Sequence, residues 1–107
     1  MRMWKINPGL MCSRHLLGEH VEMHMFAGCL NKNKSIEGYI KKGLVETALI
    51  KMRHDVLAAE MKLRDFRHNS VLNLKSEKCR RRGRVNVRVN EKELARRCRE
   101  CGKRLGK

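Results

Sequence analysis

With 107 residues the chain has room for one modest core, because a polypeptide this short buries only about 60–65% of the surface it exposes when unfolded. One Trp, one Tyr and two Phe stand against seven Met, which argues for an aliphatic, thioether-rich helical core and against a β-sandwich. Twenty-six Lys and Arg against eleven Asp and Glu leave +15; that surplus points to a polyanionic partner, nucleic acid first, and no run of roughly 18–20 apolar residues offers a membrane span.

Met1-Arg2 is not followed by the apolar stretch of a secretory signal, so a soluble protein is expected, cytoplasmic and either nucleoid-associated or in an infected host cell. Asn7-Pro8-Gly9 reads as a turn that brings the N-terminal segment back between the helices that follow. Ser13 is the expected N-cap of a first helix over 14–26, ending at Ala27-Gly28. Along it Leu16, Leu17, His20, Val21 and His24 form one stripe, with Glu19, Glu22, Met23 and Phe26 beside it. Residues 31–34 form a basic loop, and residues 35–42 are at most a short helix between Gly38 and Gly43.

A long helix is expected from Val45, whose apolar residues step 4-3-4-3 through Leu49, Met52, Val56, Ala59, Leu63 and Phe66. Such a seam calls for packing against the first helix, in a chain expected to be monomeric. A polar turn at residues 67–70 leads into Lys78-Cys79-Arg80-Arg81-Arg82-Gly83-Arg84, which reads as a mobile phosphate-binding loop. Residues 84–89 alternate as extended chain, and Asn90 with Glu93 resembles a capping box opening a last basic helix to about Leu105. Residues 70–107 hold fourteen basic and four acidic side chains, against twelve and seven in residues 1–69, so the C-terminal third is the electrostatic arm. The expected architecture is all-α: a helical core over 1–72 with two principal helices, and a basic extension over 73–107 with a short helix.

Two groups have the composition of metal ligands. His20 and His24 stand one turn apart beside Glu19, and Cys98-Arg-Glu-Cys101 has zinc-ligand spacing. A thiolate site would have to recruit the distant Cys79 and one more ligand, whereas Leu94, Cys98, Cys101 and Leu105 recur at helical spacing as buried small hydrophobes would. Neither a metal nor a cofactor is assigned on this basis.

The block His15-Leu16-x-x-Glu19-x-x-Glu22 resembles one standing close behind the N-terminus of the small phage-type pyrimidine-dimer DNA glycosylases, the endonuclease V or pyrimidine-dimer excision family. In the same register Arg2 and Gly28 also match, and Arg53, Leu57, Ala59-Glu60, Arg64 and Phe66 follow a second family block, so the resemblance covers roughly residues 1–68. It implies a DNA repair glycosylase with abasic-site lyase activity on damaged pyrimidines in double-stranded DNA. The N-terminal α-amine attacks the sugar C1′, expels the base and leaves a Schiff base, and β-elimination cuts the strand. An α-amine titrates near 7.7–8 and is partly unprotonated at neutral pH, unlike lysine near 10.4.

The resemblance places the nucleophile on Met1, which is expected to be retained because Arg2 is bulky, and the essential carboxylate on Glu22. It makes Arg2 and His15 binders of phosphate or lesion. His20, His24, Lys32, Lys34, Arg80, Arg81, Arg82 and Arg84 are further candidate DNA contacts. Two family arginines fall on Val21 and Met25, and the family's aromatic C-terminal segment is replaced by the basic cluster and the Cys98–Cys101 helix. These departures support an alternative, a non-enzymatic basic DNA- or RNA-binding protein on the same helical scaffold.

Overall fold

The computed structural model describes residues 1–67, 71–75, 78 and 80–107. The polar turn expected at residues 67–70 falls largely outside them, as does Cys79. Asn7 and Pro8 turn the chain as expected: the Asn7 side chain accepts the Gly9 N–H at 3.0 Å, and a 3-10 turn follows over Pro8–Leu10. This folds an extended N-terminal segment into the molecule, where Met3 and Ile6 are fully buried.

Helix α1 spans Ser13–Asn31, with Cys12 rather than Ser13 at the N-cap. The Ser13 hydroxyl instead accepts from Arg64, whose guanidinium also donates to the carbonyls of Pro8 and Met11. The helix does not stop at Ala27-Gly28. It runs on to Asn31 and turns only where Asn33 adopts a left-handed φ of 58°, a conformation Asn tolerates better than most residues. Its buried face is Leu16, Glu19, His20, Met23, Phe26 and Ala27, while Leu17 and Val21, placed by the sequence on the packing stripe, are exposed.

A short helix α2, Glu37–Lys41, ends at Gly43 with φ 71°. Leu44 then accepts the Met3 N–H at 2.6 Å. After a 3-10 turn over Thr47–Leu49, helix α3 runs over Ile50–Leu63 and packs against α1. The expected seam is wrong by register. Met52, Val56, Ala59 and Leu63 are exposed, and the packed face is Ile50, Arg53, His54, Leu57, Ala58 and Met61. The 4-3 stepping selected the more apolar of two adjacent stripes, but a buried partner for Arg53 turned the polar stripe inward.

The run at residues 80–85 is also better anchored than its composition suggests. Thr47 N–H donates to the Arg82 carbonyl at 3.0 Å, Thr47 Oγ1 to the Arg80 carbonyl, and the Arg82 N–H returns to Thr47 Oγ1 at 2.9 Å. Glu46 accepts the Val85 N–H at 2.9 Å, and Arg82 pairs with Glu37. Gly83, with φ 82°, lies so close that an added Cβ would stand 2.3 Å from the Val45 carbonyl oxygen. Gly83→Ala is therefore expected to lower stability by about 1–3 kcal/mol. The midpoint of urea unfolding checks it, and an unchanged midpoint would show that this run does not pack on Val45.

Asn86, not Asn90, caps the next helix by accepting the Val89 N–H at 3.1 Å. Helix α4 thus spans Val87–Arg97, one turn earlier than expected, and Asn90 is buried within it. At Cys98 the backbone turns extended (φ −137°, ψ 115°) and a separate helix α5, Arg99–Arg104, begins. Val85, Leu94 and Cys101 join Met3, Ile6, Leu16 and Phe26 in one core, so the basic extension shares the interior of the N-terminal helices. Among the described residues there is no strand, and no helix is long and apolar enough to cross a membrane.

Candidate active site

Three helices hold the N-terminal segment in place. From α1, Glu22 Oε1 accepts the Arg2 N–H at 2.5 Å and Glu19 Oε2 accepts the Trp4 N–H at 3.1 Å. From α4, the Asn90 amide donates to the carbonyls of Met3 (3.2 Å) and Trp4 (2.8 Å), while its oxygen receives the Arg2 guanidinium. From α3, Arg53 Nε and Nη2 reach Glu19 at 2.6 and 2.8 Å. Burial pushes the Glu19 carboxyl upward, and the Arg53 and Trp4 hydrogen bonds oppose that shift. Glu19 and Arg53 belong to different blocks of the sequence resemblance, and their fork-like pairing fixes α1 against α3.

The result is a cleft of about 420 Å³ lined by Met1, Arg2, Trp4, His15, Glu22, Tyr39, Leu44 and Arg97. Met1 and Glu22 therefore share one cavity, one at the chain terminus and the other half-buried on α1. The Arg2 guanidinium lies 4.4 Å from the centre of the Trp4 ring, and that of Arg97 lies 5.7 Å from it, both within cation–π range. Burial, with the charges of Arg14 and Arg97 nearby, holds the His15 imidazole below its usual range. At neutral pH it therefore offers an N–H or a lone pair rather than a charge.

The remaining expected contacts fall in three places. Lys34, Arg80 and Arg82 line a second cleft of about 250 Å³, together with Lys78 and Thr47. Helix α2 contributes to both clefts, Tyr39 to the first and Ile40 to the second. Lys32, Arg81 and Arg84 are exposed. His20 and His24 do not reach either cleft lining: they pack with His54 of α3, ring centres 4.6–4.9 Å apart, and His20 is 7% exposed. Glu19 does not join them as a metal ligand, since Arg53 occupies its carboxylate. Val21 and Met25, at the two family arginine positions, are exposed apolar residues.

Trp4, Tyr39, Leu44, Asn90 and Arg97 were not legible as site residues. Arg97 is the instructive one, because it comes from the C-terminal extension and brings a cation to the cleft that Val21 and Met25 lack. A sequence model described as pyrimidine dimer DNA glycosylase matches residues 1–74. The chain belongs to the pyrimidine dimer DNA glycosylase family. No curated protein and no solved structure matches it significantly. Membership of this glycosylase family makes damaged DNA the ligand class implied for the basic surface. Helices α4 and α5, with the cleft residues Asn90 and Arg97, lie beyond the matched segment.

Proposed function

We propose that this family member excises a damaged pyrimidine from duplex DNA and then cuts the strand as an abasic-site lyase, with the Met1 α-amine as nucleophile and Glu22 as the assisting carboxylate. The observation that carries the reading is the shared cleft: Glu22 grips the Arg2 amide at 2.5 Å, so its carboxylate stands one residue from the amine. In the first step the amine nitrogen bonds to C1′ and the bond from C1′ to the base nitrogen breaks, the base leaving with the electron pair. Glu22 stabilises the positive charge that develops at C1′. The sugar ring opens to a Schiff base, a proton leaves C2′, and the C3′–O bond to the phosphate breaks. Arg2 and Arg97 hold the phosphates beside the lesion, and Lys34, Arg80, Arg81, Arg82 and Arg84 extend the grip along the duplex. The target nucleotide is extruded into the cleft, at an unstacking cost that is least at a damaged base.

Incubation with duplex DNA bearing one abasic site, followed by borohydride and mass spectrometry, tests this directly. The expected result is one covalent adduct mapped to Met1 and abolished when extra residues precede Met1. Measurable DNA binding with no adduct would overturn the mechanism and favour a non-catalytic nucleic-acid-binding protein.

A further inference from the structure

Among the described residues, four ligand-type side chains that no single stretch of sequence contains meet at one point. Cys12 at the N-cap of α1 and His15 in its first turn meet Cys98 and Cys101 at the start of α5. One ligand atom from each lies within 4.8 Å of every other. Cys12 Sγ is 3.8 Å from Cys98 Sγ and 3.1 Å from His15 Nδ1, and Cys101 Sγ is 3.8 Å from the same nitrogen. Four ligands around one zinc ion, with Zn–S about 2.3 Å and Zn–N about 2.0–2.1 Å, stand roughly 3.6–3.8 Å apart along the edges of a tetrahedron. We infer that Cys12, His15, Cys98 and Cys101 form a structural zinc site of the Cys₃His type.

Three further features fit a bound metal. The Cys12 N–H points at Cys101 Sγ (3.3 Å) and the Cys101 N–H at Cys98 Sγ (3.5 Å), supplying the amide donors that metal-bound thiolates use to spread their charge. The break between α4 and α5 at Arg97-Cys98-Arg99 has neither Pro nor Gly to cause it. Making Cys98 the N-cap of α5 turns Cys98-x-x-Cys101 into a two-thiol clamp. Zinc with three thiolates carries a net −1, which suits a cluster flanked by Arg14 and Arg97.

The site joins two parts of the chain. Cys12 and His15 come from the segment matching the family, and Cys98 and Cys101 from the extension beyond it. The ion ties the first turn of α1 to the α4–α5 junction, fixing two cleft residues: His15, itself a ligand through Nδ1, and Arg97, which precedes Cys98. His15 is thereby assigned to holding the cleft wall, a positioning role.

The test uses the full untagged chain, purified under reducing conditions and loaded with zinc. Elemental analysis is expected to show one zinc per chain at this site, lost in Cys98→Ser/Cys101→Ser and kept in His20→Ala/His24→Ala. Cobalt in place of zinc is expected to give the intense visible bands of tetrahedral thiolate coordination, altered but retained in His15→Cys. Two readouts on the unaltered chain cover a variant that fails to fold: the cobalt spectrum itself, and alkylation, in which three fewer thiols react with zinc bound than after chelation. Zinc retained by the folded double-serine variant, a cobalt spectrum without thiolate bands, or equal thiol counts with and without zinc would overturn the assignment.

Discussion

Glu22→Gln is expected to slow strand scission at an abasic site by roughly 10²–10⁴-fold, the range typical for loss of a positioned acid or base. Affinity for the same duplex is expected to stay nearly unchanged. Gln keeps an oxygen where Oε1 now accepts the Arg2 N–H at 2.5 Å, so the N-terminal segment remains tethered. In the proposed mechanism, what disappears is the negative charge that stabilises the developing positive charge at C1′, together with a group able to relay the C2′ proton. Single-turnover cleavage at saturating protein separates the chemical step from binding, and the melting temperature reports whether the tether held. Cleavage at the unaltered rate, with the fold intact, would remove Glu22 from the mechanism.

Arg53→Met is expected to be the most destabilising single change in the interior. The Arg53 and Glu19 side chains are 6% and 0% exposed, so deleting the cation leaves a buried carboxylate held only by backbone donors, the N–H groups of Trp4 and Lys5. Breaking one side of such a buried pair costs about 3–5 kcal/mol. A domain of this size loses roughly 4–8 °C of melting temperature per kcal/mol, so the transition should fall by more than about 10 °C. The double change Glu19→Gln/Arg53→Met is expected to recover much of the loss, since a neutral amide can still accept the Trp4 N–H and no longer requires a cation. A single-variant cost below about 1 kcal/mol would show that the pair is not buried as described. Because Glu19 also holds Trp4, the single variant is expected to lower the yield of the Met1 adduct even at temperatures where the fold persists.

Helix content and several boundaries were readable from local chemistry: Pro8 turned the chain, Gly43 ended α2, and the aliphatic, Met-rich composition matched an all-α core. The positions of α1 and α3 were readable too, but not their inward faces. Met52, Val56 and Leu63 looked more burial-prone than Arg53 and His54 when each was judged by its own polarity. The energetics of burial depend on partners, and Arg53 finds Glu19 34 residues away. The same reasoning explains the basic run at residues 80–85, which looked unable to pack because its side chains are cations. Its backbone is what packs, through Thr47, Glu46 and the space left by Gly83.

The family blocks named Met1, Arg2, Glu19 and Glu22 in linear order, and the fold placed three of them on one cleft and made Glu19 the anchor of the segment between. Asn90 and Arg97 lay outside those blocks and carried no local signal. Cys98-x-x-Cys101 has a zinc-type spacing whose nearest further thiol in sequence is Cys79, whereas the fold brings it to Cys12 and His15, which lie 86 residues upstream of Cys98 and Cys101 respectively. By itself the sequence determined what is local or summed over the chain: charge, helix formation, turn positions and the order of the family residues. Tertiary structure alone decided which polar groups go inside and which distant ligands meet, because the cost of burying a charge or gathering thiols is set by partners that only folding brings within a few ångströms.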